Sequence, residues 1–243
     1  ISCFDLELEV LIVAGARTPI GAFLGSLSSL PAPALGAIAI RESLTRAGVT
    51  PSDVDEVLMG CVLSGGVGQA PARQAALGAG LPVQVPCTTI NKVCGSGMKA
   101  AMLAAQGIRL GDVSVVVAGG MESMSAAPFA VPRARQGARL GHTPLLDLTI
   151  HDGLWDPYDQ VHMGTCGDRT AAELGISRQR LDDFAAESYR RAREAQAHGR
   201  LAEEIVPVSL AASRGPAVLV EHDEEPRRGD PRRLPGLRPA FTK

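Results

Sequence analysis

The stretch Ile90-Asn91-Lys92-Val93-Cys94-Gly95-Ser96-Gly97-Met98-Lys99-Ala100 decides the fold of this chain. An apolar, β-prone segment leads into Cys94, two glycines follow, and apolar residues then recur at helical spacing. The residues at i, i+3, i+4, i+7 and i+10 of that apolar stripe are Met98, Ala101, Met102, Ala105 and Ile108. The pattern predicts a strand, a tight turn that carries Cys94, and a helix that is buried on more than one side.

Cys94 is a candidate nucleophile because of where this turn places its thiol. A helix that begins just after Cys94 directs its positive dipole end and its unpaired first amides toward the sulfur. Both favour the thiolate, which is the nucleophilic form of cysteine. Gly95 and Gly97 carry no side chain that would keep a substrate from the sulfur. The alternative is a structural core cysteine, since free cysteine is among the most buried residue types, and the local pattern leaves both open.

The composition bounds the class of protein and its partners. The chain has 243 residues, 45% of them apolar and 21% charged, which suffices for one large domain or two small ones. A formal net charge of −2 gives no reason to expect nucleic acid or an anionic membrane as a partner. No apolar run reaches the roughly 18 residues that a transmembrane helix needs, so no membrane partner is expected.

Cysteine and histidine usage bears on compartment and metal binding. Five cysteines without a CxxC pair argue against a disulfide framework or a zinc site and favour a reducing compartment. No histidine lies at metal-ligand spacing from another histidine, so no metal site is predicted. Residues 1–9 carry acids and no basic region, unlike a signal peptide. We therefore expect a cytoplasmic protein, with other reducing compartments such as the mitochondrion left open.

The first half of the chain alternates between predicted strands and helices. Apolar segments predict strands at Val10–Ala14, Asp55–Leu63, Val83–Ile90 and Ser114–Ala118. Helices are predicted at 34–47, at 72–79 and from the Cys94 turn to about 110. The valine-rich Ser114–Ala118 is expected to be buried on both faces. This alternation predicts right-handed crossovers and a mostly parallel sheet, whose strand ends would bring the turn Gly119–Ser125 near Cys94.

The second half is less regular. Residues 126–166 hold scattered Pro, Gly, Arg and Asp, and such a long connection indicates a functional segment or a subdomain. Ser177 is a good helix N-cap, and Gly199 marks the end of the helix that follows. Ile205–Val208 and Val218–Val220 are predicted to pair as a small hairpin.

These motifs together resemble the thiolase family, specifically its acetyl-CoA C-acetyltransferase (acetoacetyl-CoA thiolase) branch. The matching segments occur in the family's order: Ala16–Gly21, Gln69 with Arg73–Ala75, Asn91–Lys99, Val117–Ser125, Asp152–Leu154, His162–Gly164 and Leu237–Phe241. A ketoacyl or hydroxymethylglutaryl synthase of the same fold is a weaker alternative, because Gly119–Ser125 and His162–Gly164 look thiolase-like.

The resemblance implies a fold and a division of the chain. The fold class is α/β and thiolase-like, with one βαβαβαββ half that contains a mostly parallel sheet, plus an α/β loop subdomain. Residues 1–121 would form the amino-terminal core domain. Residues 122–243 would form the loop domain, which binds CoA in this family. The family is usually dimeric or tetrameric, so a homo-oligomer is expected.

The resemblance also implies a reaction and the residues that carry it. Cys94 would accept the acetyl group of acetyl-CoA, and a second acetyl-CoA would attack it to give acetoacetyl-CoA and CoA, or the reverse. His162 and Met163 match positions that shape the acyl pocket of the short-chain branch. Arg227 and Phe241 match CoA-contacting positions, although a solvated arginine-rich loop is the alternative for Arg227. The CoA thioester is a substrate, and no other cofactor is implied.

The sequence also departs from the family. The family's catalytic histidine and second cysteine belong to a second half, for which we find no internal repeat. We therefore expect part of the Met98–Ile108 helix and one face of the sheet to meet water as an apolar patch. We also expect weak turnover without the missing half, since general acid–base catalysis contributes about 10²–10⁴-fold. The alternative is a truncated, non-catalytic protein that binds CoA or associates with an intact subunit.

Overall fold

The computed structural model describes residues 9–137, 139–211 and 215–241. The first eight residues, on which the expectation about a signal peptide mainly rests, lie outside these ranges. No helix within them combines the length and the apolar character needed to cross a membrane.

Helices and strands alternate through the first half of the chain, as the sequence predicts. They are α1 (Ala32–Ala47), β1 (Glu56–Gly60), α2 (Pro71–Ala79), β2 (Cys87–Ile90), α3 (Ser96–Leu110) and β3 (Val116–Gly120). The three strands are parallel and lie in the order β2-β1-β3, with Val57 opposite both Cys87 and Val117. Helices around a parallel central sheet confirm the α/β fold class.

The core forms on both faces of β1, because alternate residues of a strand point to opposite faces. Val57 and Met59 pack with α1 and α2, in a cluster that includes Ile40, Leu44, Ala75 and Ala76. Leu58 packs on the other face with Ala100 and Ala104 of α3. The result is three layers, with α1 and α2 on one side of the sheet and α3 on the other.

One of the predicted strands is absent, and another is shifted along the chain and less buried than expected. Val10–Ala14 forms no strand, and Ile12 is 94% exposed, because no strand of the described residues pairs with this segment. The predicted Ser114–Ala118 lies two residues further on, at β3, and its residues are half-buried or exposed instead of buried on both faces. The reason is its place in the sheet, since among the described residues β3 is an edge strand that pairs only with β1.

Helix α3 is also less covered than its composition suggests. Met98 and Met102 of the predicted apolar stripe are 74% and 52% exposed. The buried face is formed instead by Ser96, Ala100 and Ala104. The expectation of burial on several sides is therefore wrong, whereas the expectation that part of this helix meets water is confirmed.

The second half consists of short elements around two longer helices. They are β4 (Phe129–Ala130), β5 (Leu146–Asp147), a π-helix (Thr149–Leu154), β6 (Trp155–Asp156), β7 (Val161–His162), α4 (Met163–Glu173), α5 (Arg178–Ala197), β8 (Val208–Leu210), β9 (Val218–Val220) and α6 (Glu225–Arg228). The successive strands form three antiparallel pairs, β4–β5, β6–β7 and β8–β9. Short 3₁₀ segments lie at Pro51–Asp53, Met124–Ala126, Ala134–Gln136 and Pro231–Gly236.

The predicted cap and hairpin are present with one shift. The Ser177 hydroxyl accepts a hydrogen bond from the Arg180 N–H at 3.3 Å and begins α5. The first strand of the hairpin is Val208–Leu210 and not Ile205–Val208, because Ile205 pairs with Arg17 instead. The hairpin packs on the first half of the chain, since Val208 and Val220 share a core cluster with Leu27, Leu30, Leu35 and Ile38.

Candidate active site

The structure places Cys94 on the predicted turn, between the end of β2 and the start of α3. Gly95 is the N-cap residue of α3, so the first amides of the helix follow Cys94 directly. The Cys94 side chain is exposed, which excludes the alternative of a buried core cysteine. An exposed thiol at the start of a helix is the arrangement that a nucleophile requires.

The turn is held in an unusual backbone conformation just before the cysteine. Val93 has a φ of +47°, which is rare for a β-branched residue and costs of order 1–3 kcal/mol. Its N–H donates to Asn91 Oδ1 at 3.0 Å. Its carbonyl accepts from the Ser96 hydroxyl at 2.6 Å and from the Ser96 N–H at 3.1 Å. The side chains on both sides therefore hold the polar groups of Val93 and fix the direction of the chain at Cys94.

Glycines let the start of α3 lie directly on the sheet. A Cβ added at Gly60, the last residue of β1, would lie 2.7 Å from the Ser96 Cβ and 2.8 Å from the Gly97 nitrogen. A Cβ at Gly120 would lie 3.5 Å from the Gly97 Cα. Gly97 thus faces the end of β3, where an added Cβ would lie an ordinary 3.7 Å from the Gly119 backbone. Gly95 does lie in open space, with only the Lys92 carbonyl within 4 Å of an added Cβ.

The turn after β3 is tied to the end of β1 by a carboxylate. Glu122 accepts hydrogen bonds from the N–H groups of Val62 at 2.9 Å and Leu63 at 3.0 Å. The Cys61 thiol donates to the same carboxylate at 3.7 Å. Burial, and then the charge of Glu122, raises the pKa of the Cys61 thiol to about 12. Cys61 therefore stays protonated at neutral pH.

His162 and Phe241, which were predicted separately, are in direct contact. Their rings stack with centroids 4.7 Å apart and planes inclined by 20°. His162 is also the N-cap residue of α4, where its Nδ1 accepts from the Gly164 N–H at 3.0 Å. Phe241 lies on the backbone of Gly164, since an added Cβ there would overlap the phenyl ring. Met163, the first residue of α4, is exposed beside this pair.

Arg227 is exposed on α6, and helix α5 holds the segment around it. The Tyr189 hydroxyl donates to Glu225 Oε1 at 2.6 Å. The Arg193 guanidinium donates to the Pro226 carbonyl at 2.7 Å. Within the described ranges Arg227 forms no salt bridge, so its charge is available to an anion.

A comparison with known families decides what kind of chain this is. Residues 10–243 match the family described as Thiolase, N-terminal domain. The chain belongs to the thiolase family. The resemblance drawn from the motifs is thereby confirmed, together with the α/β thiolase-like fold.

Several named relatives are about half identical to this chain in sequence. The chain is 52% identical over 236 residues to Acetyl-CoA acetyltransferase of Cupriavidus necator, which covers 97% of the chain and 60% of that relative. It is 53% identical to Acetyl-CoA acetyltransferase 2 of Arabidopsis thaliana, of which it covers 59%. It is 49% identical to the mitochondrial Acetyl-CoA acetyltransferase of Homo sapiens, of which it covers 55%. The chain therefore spans somewhat more than half the length of these relatives.

The predicted thiolase site residues fall into separate groups. The structure brings His162 and Phe241 together. No hydrogen bond or ring contact in the described part of the chain joins that pair to Cys94 or to Arg227. No group of three or more His, Cys, Asp or Glu side chains in that part is placed to hold a metal ion.

Sequence reasoning missed the residues that hold the Cys94 turn, namely Asn91, Ser96 and Glu122. Asn91 has a local signal, because an asparagine often accepts from the N–H two residues further on. Ser96 and Glu122 lie inside motifs that were noted, but their partners follow only from the structure.

Proposed function

We propose that this chain takes part in acyl transfer between CoA thioesters, with Cys94 as the acyl acceptor. The observation that carries the proposal is the exposed Cys94 thiol on a braced turn at the start of α3, in a member of the thiolase family. The names of the relatives support acetyl-CoA as a substrate, and acetoacetyl-CoA is the partner substrate that the family resemblance implies.

The proposed chemistry has two steps. The Cys94 thiolate attacks the carbonyl carbon of acetyl-CoA, the bond from that carbon to the CoA sulfur breaks, and CoA leaves as a thiol after taking up a proton. A second acetyl-CoA, deprotonated at its methyl group, then attacks the acetyl group on Cys94. This forms acetoacetyl-CoA and returns the free cysteine, and the reverse sequence is thiolysis. Backbone amides near Cys94 would stabilise the oxyanion.

We propose binding functions for the remaining site residues. His162 and Met163 would line the acyl pocket, and the stack on Phe241 keeps the His162 ring in one orientation. Phe241 would lie beside CoA, and the exposed Arg227 would bind a CoA phosphate. We propose no metal and no cofactor besides the CoA thioester. The division at residues 121 and 122 and a dimer or tetramer of the chain remain predictions.

The proposal separates acyl capture from turnover. The Cys94 turn supplies a nucleophile, but no residue here matches the family's catalytic histidine or second cysteine. Because such groups contribute about 10²–10⁴-fold, we propose that acetylation of Cys94 persists while formation of acetoacetyl-CoA is slow. The alternative function is that of a truncated, non-catalytic chain that binds CoA or associates with an intact subunit.

The test is to incubate the chain with acetyl-CoA and locate the acetyl group by peptide mass spectrometry. We expect acetylation of Cys94, none of the buried Cys61, and none at position 94 in Cys94→Ser. Chromatography of the products measures acetoacetyl-CoA. Acetylation without acetoacetyl-CoA favours the non-catalytic alternative, and binding of CoA without acetylation leaves only a binding function. Absence of both acetylation and CoA binding contradicts the proposal.

A further inference from the structure

We propose that Glu122 is a positioning residue for the Cys94 turn, which it braces through the main chain after β1 and the side chain of Asn91. The inference rests on the proposed function of Cys94. Glu122 follows strand β3, whereas Cys94 follows strand β2, so the two residues lie at the ends of different strands.

The first link joins Glu122 to the segment that follows β1. Both carboxylate oxygens are used, one for the Val62 N–H and the other for the Leu63 N–H. A carboxylate that accepts two amides makes charge-assisted hydrogen bonds, which are stronger than neutral ones. The main chain of residues 61–63 is therefore held against the turn that follows β3.

The second link joins that segment to the start of the Cys94 stretch. The Cys61 N–H donates to the carbonyl of Ile90, the last residue of β2, at 3.0 Å. The Val62 carbonyl accepts from the Asn91 side-chain amide at 3.5 Å, which is the longest of these contacts. The main chain of Ile90 and the side chain of Asn91 are thus both anchored to this segment.

The third link reaches the strained residue before the nucleophile. Asn91 Oδ1 accepts from the Val93 N–H at 3.0 Å, and Val93 has the φ of +47° that aims the chain at Cys94. A left-handed conformation at a β-branched residue persists only when its surroundings enforce it. Loss of the Glu122 contacts should therefore leave the Cys94 thiol less well oriented relative to the start of α3.

The chain contains a matched control at the opposite end of the same two strands. Asp55 precedes β1, and its carboxylate accepts from the N–H groups of Ser114 at 2.7 Å and Val115 at 2.9 Å, before β3. Asp55 and Glu122 therefore both clamp these two strands, although Asp55 accepts both amides on the single oxygen Oδ2 and Glu122 uses one oxygen for each. Only Glu122 lies at the end that carries Cys94.

The experiment compares Glu122→Gln with Asp55→Asn in the 243-residue chain. Glutamine has one acceptor oxygen, so it cannot hold both amides as the carboxylate does. The rate of Cys94 alkylation by iodoacetamide is measured by mass spectrometry across a range of pH, with thermal unfolding measured in parallel. Lys92 and Lys99, which lie on the same turn and helix, are unchanged in every variant.

If Glu122 positions the thiol, Glu122→Gln slows alkylation of Cys94 by about two- to five-fold near neutral pH, the size of a helix-terminus effect on a thiolate. Asp55→Asn leaves the profile unchanged although it lowers the unfolding temperature. Equal slowing in both variants, or no slowing in Glu122→Gln, overturns the inference.

A second variant covers the case in which Glu122→Gln fails to fold. Asn91→Ala removes both the donor to the Val62 carbonyl and the acceptor for the Val93 N–H, and it adds no charge beside the thiol. By itself this variant is expected to slow alkylation in the same way. Where Glu122→Gln folds, the double variant is expected to slow alkylation less than the product of the two separate effects. If the effects of the two substitutions on the alkylation rate simply multiply, the two residues do not act through shared contacts, and the inference is contradicted. Because iodoacetamide needs no CoA site, a failure here is distinguishable from failed acetylation by acetyl-CoA.

Discussion

Arg17 binds Asp223 through two parallel hydrogen bonds, from Nη1 to Oδ1 at 2.8 Å and from Nη2 to Oδ2 at 3.0 Å. Asp223 is buried and also accepts from the Ile20 N–H at 2.8 Å. Burial alone raises the pKa of Asp223, but the hydrogen bonds from Arg17 and Ile20 outweigh it and hold the pKa below its usual value. The first thiolase motif of the chain therefore fastens its start to the segment after β9.

The Arg17–Asp223 pair should contribute to stability more than its exposed neighbour. Asp223→Asn removes a charge from a buried, bidentate contact, so we expect it to lower the free energy of unfolding by about 1.5–3 kcal/mol. Glu204, which accepts from Arg17 Nε at 2.7 Å, is half exposed, and Glu204→Gln should cost less than about 1 kcal/mol. Urea unfolding of both variants checks this, and equal costs would contradict a special place for Asp223.

The same pair predicts that the free energy of unfolding falls in acid. Because the pKa of Asp223 is lower in the folded chain than its ordinary 3.8, its contribution is present above that value and is lost as the pH falls through the folded pKa. The difference in unfolding free energy between the parent chain and Asp223→Asn should therefore be constant near neutral pH and shrink in acid. Urea unfolding at a series of pH values measures it. A difference that stays constant into acid would rule out this linkage.

His162 should contribute to stability in two separable ways. His162→Ala removes the acceptor that caps α4, worth about 0.5–2 kcal/mol, and the stack on Phe241, worth about 0.5–1.5 kcal/mol. His162→Asn keeps an acceptor for the Gly164 N–H and loses only the ring. We therefore expect the asparagine variant to lie between the alanine variant and the parent in urea unfolding. If both variants are equally unstable, the cap contributes nothing.

Helix ends were predictable from the sequence, whereas strand partners were not. Gly48, Gly80 and Gly111 each follow an apolar helical run, and each adopts the positive φ that ends a helix. Such signals are local. Val10–Ala14 has the composition of a strand as well, but a strand forms only where a neighbour supplies hydrogen bonds, and composition does not report the neighbour.

The same distinction between local signals and distant partners holds for the candidate site. The Cys94 turn was predictable because its strand, glycines and helix are consecutive in the sequence. The contact of His162 with Phe241 and the contact of Glu122 with Val62 join distant segments, which periodicity cannot reveal. The exposed face of α3 shows a further limit, since an apolar stripe at Met98 and Met102 indicates a surface to be covered but not whether the chain itself covers it.

Gly60 should be intolerant of any side chain because α3 lies directly against it. Gly60→Ala places a Cβ 2.8 Å from the Gly97 nitrogen, and backbone cannot move as a flexible side chain does. We expect a loss of about 1–3 kcal/mol in unfolding free energy and altered alkylation of Cys94. Gly97→Ala is the control, because its Cβ meets the Gly119 backbone at an ordinary 3.7 Å. It should be neutral or slightly stabilising, since alanine favours helix by up to about 1 kcal/mol.

The buried thiol of Cys61 should weaken the fold in alkali. Its pKa rises from 9.0 to about 12, mainly through burial, so its contribution is intact below pH 9 and is lost as the pH rises toward about 12. The unfolding free energy of the parent chain should therefore fall more steeply across this range than that of Cys61→Ala, by up to about 1.4 kcal/mol per pH unit. Cys87, whose pKa is also raised by burial, titrates in both proteins and cancels in the comparison. Urea unfolding at a series of alkaline pH values measures the two slopes.

Iodoacetamide gives an independent check, because it should label Cys94 in the folded chain and Cys61 only after unfolding. Parallel slopes, or rapid labelling of Cys61 in the folded chain, would show that the thiol is not shielded as the structure indicates.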